Sequence, residues 1–256
     1  VAESTEGRGA SSGVHLFAAD LHLDGGEVSR ERLRALIRTA HAEGASLHLL
    51  GDVFHYWFGP RHLDHPMFHR ELELLRGAVA IGVPVLIVPG NRDFLLDAEF
   101  SRATGVRLAA DATELVVGGE RVHLSHGDLF GVADVRYQRM RRLLHAPVVR
   151  WLASHLPAAI VGALARRLRR HSEHVVARKD AEVLAPDRPS IAALFTDGVD
   201  VVICGHFHQA RDERFSPGEG GGRFRVLEPF EDHGYYLRAR DGEWSEHRLA
   251  AAEEAA

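Results

Sequence analysis

The chain has 256 residues, 45% of them apolar and 26% charged, with a net charge of −5 and one cysteine. That balance fits one α/β domain, or one domain carrying a sizeable insertion, and excludes a disordered, collagenous or disulfide-stapled protein. Cys204 has no partner for an intrachain disulfide, which points to a reducing compartment. The 18 histidines hint at metal chemistry, because imidazole is a frequent transition-metal ligand.

Residues 1–13 are small and polar, with no apolar core behind a basic start, so they read as a disordered leader rather than a secretory signal. Residues 14–249 read as a single domain and 250–256 as a flexible tail. No window holds 18 consecutive apolar residues, so no membrane-spanning helix is expected.

An apolar run over 14–19 stops at Asp20 and reads as a buried strand. Ser29 is placed to cap a helix whose inner face is Leu33, Leu36, Ile37 and Ala40, with Gly44 ending it. A strand over 47–50, a helix over 67–80 and a strand over 83–88 come next. This alternation predicts parallel strands joined by helical crossovers. Segments 114–117 and 121–125 flank Gly118-Gly119 and read as a hairpin. A helical block covers roughly 131–185, then come a helix from Pro189 and a buried strand over 199–204. The glycine run 218–222 reads as a flexible loop, and 224–227, 235–240 and 244–249 as short antiparallel strands. The expected fold class is α/β (α+β): two mixed β-sheets flanked by helices, with a helical cap inserted over 131–190.

The residues just past each strand carry the chemistry. Asp20-Leu21-His22 stands after the first, Gly51-Asp52 after the second and Gly90-Asn91-Arg92-Asp93 after the third. His126-Gly127-Asp128 comes after the hairpin, and Gly205-His206-Phe207-His208 after the late strand. These positions lie past strand carboxyl ends, where open α/β sheets place a ligand crevice. Asp, Asn and His supply the oxygen and nitrogen donors that suit divalent transition metals. One Gly-Asp after a strand means little, but five donor clusters in this order point to a metal site.

The ordered series resembles the signature of calcineurin-like metallophosphoesterases over most of the chain, residues 14–208. The resemblance implies one metal held by Asp20, His22, Asp52 and His208 and another by Asp52, Asn91, His126 and His206, with Asp52 bridging and catalytic. It favours Mn²⁺, while oxygen and nitrogen ligation also allows Fe or Zn. Most members carry histidine where this chain has Arg92. Arginine cannot act as a general acid, but it can clamp phosphate oxygens with a rigid fork of donors. With Leu23, Val53 and Phe54 in the flanking motifs, Arg92 makes the chain similar to the branch that hydrolyses UDP-2,3-diacylglucosamine.

That branch releases UMP and the acylated sugar 1-phosphate in lipid A synthesis. Its pattern implies substrate contacts at Asn91, Arg92, His206, Asp134, Tyr137, Arg169, Ser172 and Lys179. Asp128, Gln138, Arg170 and His171 also match in spacing.

The cap suits such a substrate. Residues 131–190 hold 12 Lys and Arg against 5 Asp and Glu; this +7, against −12 elsewhere, makes up the chain's −5. A basic cap over an acidic body would draw a pyrophosphate or an anionic membrane surface. Pro147 and Pro157 divide its apolar residues into short helices that would lie on a membrane, not cross it. The expected location is the inner face of the cytoplasmic membrane, and no nucleic acid or protein partner is implied.

Lesser features complete the reading. His55, His62, His65 and His69 surround Gly59-Pro60 and suggest a mobile loop at the site's rim. Trp57 and Phe58 could touch substrate or belong to the core, and Cys204 reads as a small core residue. Phe207 and Gln209 in the last motif, and Leu227-Glu228-Pro229 after it, depart from the branch. Two other functions compete with this one. The first is a related phosphoesterase acting on a different nucleotide diphosphate or a phospholipid. The second is a metal-free scaffold, which seven intact ligand positions disfavour.

Overall fold

Apolar strands alternating with amphipathic helices build the first half of the molecule. The computed structural model describes residues 13–57, 59–131 and 185–249. The leader up to residue 12, the tail and most of the cap lie outside the described residues. β1 (His15–Ala18), β2 (Ser46–Leu50), β3 (Val85–Val88) and β4 (Arg107–Leu108) are parallel neighbours. β10 (Tyr235–Arg240) and β11 (Glu243–Arg248) extend the sheet antiparallel on the other side of β1, giving the order β11-β10-β1-β2-β3-β4. The second sheet has the order β5-β6-β7-β9-β8, from β5 (Ala112–Val117), β6 (Glu120–Ser125), β7 (Val201–Cys204), β8 (Arg211–Arg214) and β9 (Arg223–Val226). Its β6, β7 and β9 run parallel, with β5 and β8 antiparallel at the edges. Both sheets are mixed, as the sequence predicts.

Helices cover the outer faces. α1 (Glu27–Ala42) buries Leu33, Leu36, Ile37 and Ala40, the predicted stripe. Each fully buried leucine or isoleucine stabilises by roughly 1.5–3 kcal/mol. α2 (His69–Ala80) and α3 (Ala98–Thr104) share that layer, and α4 (Arg188–Thr196) covers the second sheet. Phe17, Ala19, Leu50 and Val88 meet Val122, Leu124, Val201 and Ile203 between the sheets. α5 (Phe230–His233) is a single short turn before β10. No helix among the described residues is long and apolar enough to cross a membrane.

Three expectations need correction. Ser29 does not cap α1: the helix starts at Glu27, because Asp24 Oδ1 accepts from Gly26 N at 2.9 Å and Ser29 Oγ at 2.7 Å and sets the first turn earlier. The glycine run near 218 is packed, not loose. A Cβ at Gly222 would sit 2.0 Å from Phe195 Cδ1, and a Ser216–Glu219 capping box fixes the preceding turn. The histidine-rich segment is also ordered, in short turns at Pro60–Asp64 and Pro66–Phe68. His62 is buried there edge-on against Tyr56 and Phe68, and burial, with His65 beside it, lowers its pKa to about 4.

Candidate metal centre

The carboxyl ends of β1, β2 and β3 in one sheet meet those of β6 and β7 in the other. The loops leaving them are tied by main-chain hydrogen bonds. Asp20 N donates to Gly51 O at 3.2 Å, His22 N to Asp52 O at 2.9 Å, and Gly205 N to His126 O at 2.9 Å. Six described non-glycine residues have a positive φ, and five of them are Asp20, His22, Asp52, His206 and His208. Left-handed backbone at a residue with a Cβ costs roughly 1–3 kcal/mol and persists only where its surroundings enforce it. Here it sits in the loops whose side chains meet between the sheets.

Two glycines make that approach possible. A Cβ at Gly51 would lie 2.3 Å from His126 Nδ1, and one at Gly90 would lie 2.4 Å from Asp52 Oδ1. Neither position can carry a side chain without displacing the centre.

The seven predicted donors come together in two connected groups. Asp20, His22 and His208 place one donor atom each within 4.8 Å of one another, as do Asp20, Asp52 and His126. Asp52 stands between them: Oδ2 is 3.4 Å from His22 Nε2 and Oδ1 is 3.6 Å from His126 Nε2. His126 Nε2 lies 2.9 Å from Asn91 Oδ1, and His206 Nδ1 lies 3.1 Å from the same oxygen. Arg92 reaches the centre as well, with Nε 3.0 Å from Asp52 Oδ2.

The donors fit divalent cations. His126 Nδ1 faces the Leu50 carbonyl oxygen at 3.0 Å and donates its proton there, which turns the Nε2 lone pair inward. Asp20 Oδ1 is buried without a hydrogen-bond partner among the described residues, although buried polar atoms seldom go unpaired. Burial raises Asp20, and the Asp52 charge adds to that effect. Burial also opposes ionisation of Asp52, but His126, His22 and Arg92 outweigh it and hold that carboxyl well below the usual range. His206 is lowered to about 4 by burial and by His126. Crowded carboxylates and inward lone pairs form a set that a cation satisfies.

Two further residues support the centre, and the sequence reading gave neither a role. Asp93 is fully buried, and its carboxylate accepts from Gly90 N at 2.6 Å, Val53 N at 2.7 Å and Phe54 N at 3.3 Å. It clamps the Asp52 loop to the Asn91 loop. Its place in the third motif was the available signal. Glu231 Oε1 lies 2.6 Å from His22 Nδ1, brought there by α5 through Phe230 N to Ala19 O and Glu231 N to Asp20 O. Burial opposes a charge on His22, but contacts with Asp52 and Glu231 outweigh it and raise the ring to about 9. A carboxylate at Nδ1 holds a proton there and leaves Nε2 to face the centre. Nothing local in the sequence marks Glu231.

The remaining expectations divide. Asp128 is buried in the turn after His126, and Trp57 is wholly in the core rather than at a substrate surface. Cys204 is buried at the end of β7, with its thiol pushed well up by burial. Asp134, Tyr137, Arg169, Ser172, Lys179 and Phe58 lie outside the described residues. Among the described residues His55, His62, His65 and His69 enter no metal-ligand group.

Known proteins are similar to the chain over most of its length. A UDP-2,3-diacylglucosamine hydrolase of Aeromonas salmonicida is 32% identical over 231 residues, covering 89% of this chain and 90% of that protein. One from Edwardsiella ictaluri is 34% identical over 229 residues, 87% of each chain. A third, from Pseudomonas putida, is 33% identical over 229 residues, 87% of this chain and 93% of its own. The sequence profile of the calcineurin-like phosphoesterases matches residues 15–210, spanning all five donor clusters. The match spans more than half of the chain, and the chain belongs to the calcineurin-like phosphoesterase family.

Proposed function

We propose that the chain is a dinuclear metal hydrolase that cleaves the pyrophosphate of UDP-2,3-diacylglucosamine to UMP and 2,3-diacylglucosamine 1-phosphate. The convergence of Asp20, His22, Asp52, His126 and His208, with Asn91 and His206 against His126 and Arg92 at the edge, carries this reading. The names of the three relatives supply its substrate. Asp20, His22, Asp52 and His208 would hold one cation, and Asp52, Asn91, His126 and His206 the other. Two such cations, when bound, supply an activated water and neutralise phosphate oxygens during in-line displacement. Mn²⁺ is the proposed metal.

The chain's own residues do the rest. Asp52 joins the two ligand groups and sets their separation. Arg92 offers guanidinium N–H groups to the phosphate oxygens. Asn91 supplies a neutral oxygen, which keeps the centre cationic enough for an anionic substrate. Asp93 holds the two loops in register, and Glu231 keeps the His22 proton on Nδ1. We assign the nucleotide and phosphate contacts to Asp134, Tyr137, Arg169, Ser172 and Lys179 in a helical cap over 131–190. The basic surplus of that cap favours an anionic membrane at the cytoplasmic face, where the acylated substrate would reside. Charge reversal at Arg166 and Arg167 should then weaken binding to anionic vesicles.

Incubation with UDP-2,3-diacylglucosamine and Mn²⁺ should release UMP. Cleavage of a generic phosphodiester without UMP release would keep the metal chemistry and overturn the substrate.

A further inference from the structure

The two oxygens of Asp52 face different ligand groups. Oδ2 lies 3.4 Å from His22 Nε2, whereas Oδ1 lies 3.6 Å from His126 Nε2. Arg92 meets both oxygens, but by different means. Its main-chain N–H donates to Oδ1 at 2.9 Å, and its side-chain Nε stands 3.0 Å from Oδ2. The first contact belongs to the backbone and does not depend on which side chain residue 92 carries. The second belongs to the guanidinium, so Arg92 acts on the His22 side of the centre separately from the His126 side.

That second contact sets two positive partners against each other. The Asp52 side chain is only 3% exposed, and Oδ2 has His22 on one side and Arg92 on another. A cation held by Asp20, His22 and His208 would take the same oxygen to gain Asp52 as its fourth ligand. Arg92 acts on Asp52 through its charge, and the same charge works against one on His22. Like charges this close repel strongly where little water screens them. A guanidinium paired with a carboxylate therefore weakens the hold of that carboxylate on a metal. The Arg92 side chain is 26% exposed, open enough to turn outward, and Asp52 is the one acceptor it meets among the described residues.

We propose that Arg92 and the cation of the His22 group compete for Asp52 Oδ2. Arg92 thereby weakens that cation, and its guanidinium is freed for phosphate oxygens once the cation is bound. The cation of the His126 group faces Oδ1 and is little affected. Metal uptake and the phosphate clamp are then linked through one side chain, and such a linkage is reciprocal: whatever draws Arg92 from Asp52 tightens the cation. This inference rests on the dinuclear reading of the centre and is independent of which nucleotide or sugar the substrate carries.

Calorimetric titration of the full chain with Mn²⁺, without substrate, tests it. Arg92→Gln should tighten one of the two ions by about 10-fold or more and leave the other within about 3-fold, because the lost charge faced one ligand group. Arg92→Lys keeps a positive charge within reach and should stay close to the wild type. Unchanged or weaker Mn²⁺ binding in Arg92→Gln would overturn the competition, and so would equal tightening in Arg92→Lys. Because a variant could disturb the fold, a crystal of the Mn²⁺-loaded wild type gives the second measurement. Arg92 Nε should have left Asp52 Oδ2, and a retained ion pair there would overturn the proposal. Each of these results leaves the dinuclear reading standing, whereas a folded wild type that binds no Mn²⁺ would overturn both.

Discussion

His126 Nε2 and His206 Nδ1 stand 3.2 Å apart, and Asn91 Oδ1 lies 2.9 Å from the first and 3.1 Å from the second. The three atoms come from loops after β6, β7 and β3, so the contact exists only because the two sheets bring their carboxyl ends together. The His126 Nδ1 proton is committed to the Leu50 carbonyl, which leaves nitrogen and oxygen lone pairs converging on one point. Such an arrangement repels itself unless a proton or a cation occupies the middle. Asp52 provides the matching charge 3.6 Å from the same His126 atom. This geometry sets the expected behaviour of the molecule.

Asp52→Ala removes the carboxylate that the proposed centre shares between its two cations. Turnover should fall by at least the ~10²–10³-fold seen on losing one transition-state stabilising group, because two ions lose a ligand together. Steady-state rates of the purified variant at saturating metal check this. Substantial retained activity would rule out a bridging role.

Glu231→Gln keeps the shape but weakens the partner of His22 Nδ1. Removing a carboxylate that orients a metal-bound imidazole typically costs ~10–100-fold in metal affinity. The Glu231 side chain is 41% exposed, so the fold should be unaffected. Metal titration by calorimetry, with the His22 tautomer followed by ¹⁵N NMR, distinguishes orientation from general damage. An unchanged affinity would show that His22 needs no such partner.

Stability rests partly on Arg30 and Glu71, a buried ion pair at 3.2 Å joining α1 to α2. Arg30→Met should destabilise by about 3–5 kcal/mol, because Glu71 is then left buried and uncompensated. Arg30→Met with Glu71→Leu should recover most of that loss. Urea unfolding of the three proteins measures the difference, and a double variant no better than the single one would contradict the argument.

Acid should unfold the protein through its buried neutral histidines. His48 is lowered to about 3 by burial and by His15, and His62 is lowered to about 4 by burial and His65. Each is neutral in the folded state but takes up a proton in the unfolded chain below its ordinary value of 6.5. Stability is therefore fully present above that value and falls as the pH drops toward 4 and then 3. Linkage gives each about 2 kcal/mol of loss between about pH 7.5 and about pH 5. Denaturant midpoints across that range should fall with pH, and His62→Phe should flatten the slope. An unchanged slope would remove His62 from the account.

Much of this was legible in the sequence for local reasons. The stripe Leu33, Leu36, Ile37 and Ala40 forms the buried face of α1 because a period of 3.6 residues needs no tertiary information. The donor clusters are found in order along the chain because each stands directly after an apolar run. The 18 histidines were a weaker guide, since among the described ones only His22, His126, His206 and His208 enter the centre. The features that escaped detection depend on distant parts of the chain. Glu231 reaches His22 across more than two hundred residues of sequence, through α5 docking on the loop after β1. The edge strands β4 and β8 are too short or too polar to show a period of 2. Glycines 220 and 222 look like a flexible run until Phe195 is in place, whose backbone lies against the first and whose ring lies against the second.

Metal stoichiometry of the purified chain, measured by elemental analysis after equilibrium dialysis against Mn²⁺, tests the paired centre most directly. The arrangement around Asp52 predicts two ions per chain in the wild type and fewer than two in Asp52→Ala. One ion or none in the wild type, with the protein folded, would contradict it.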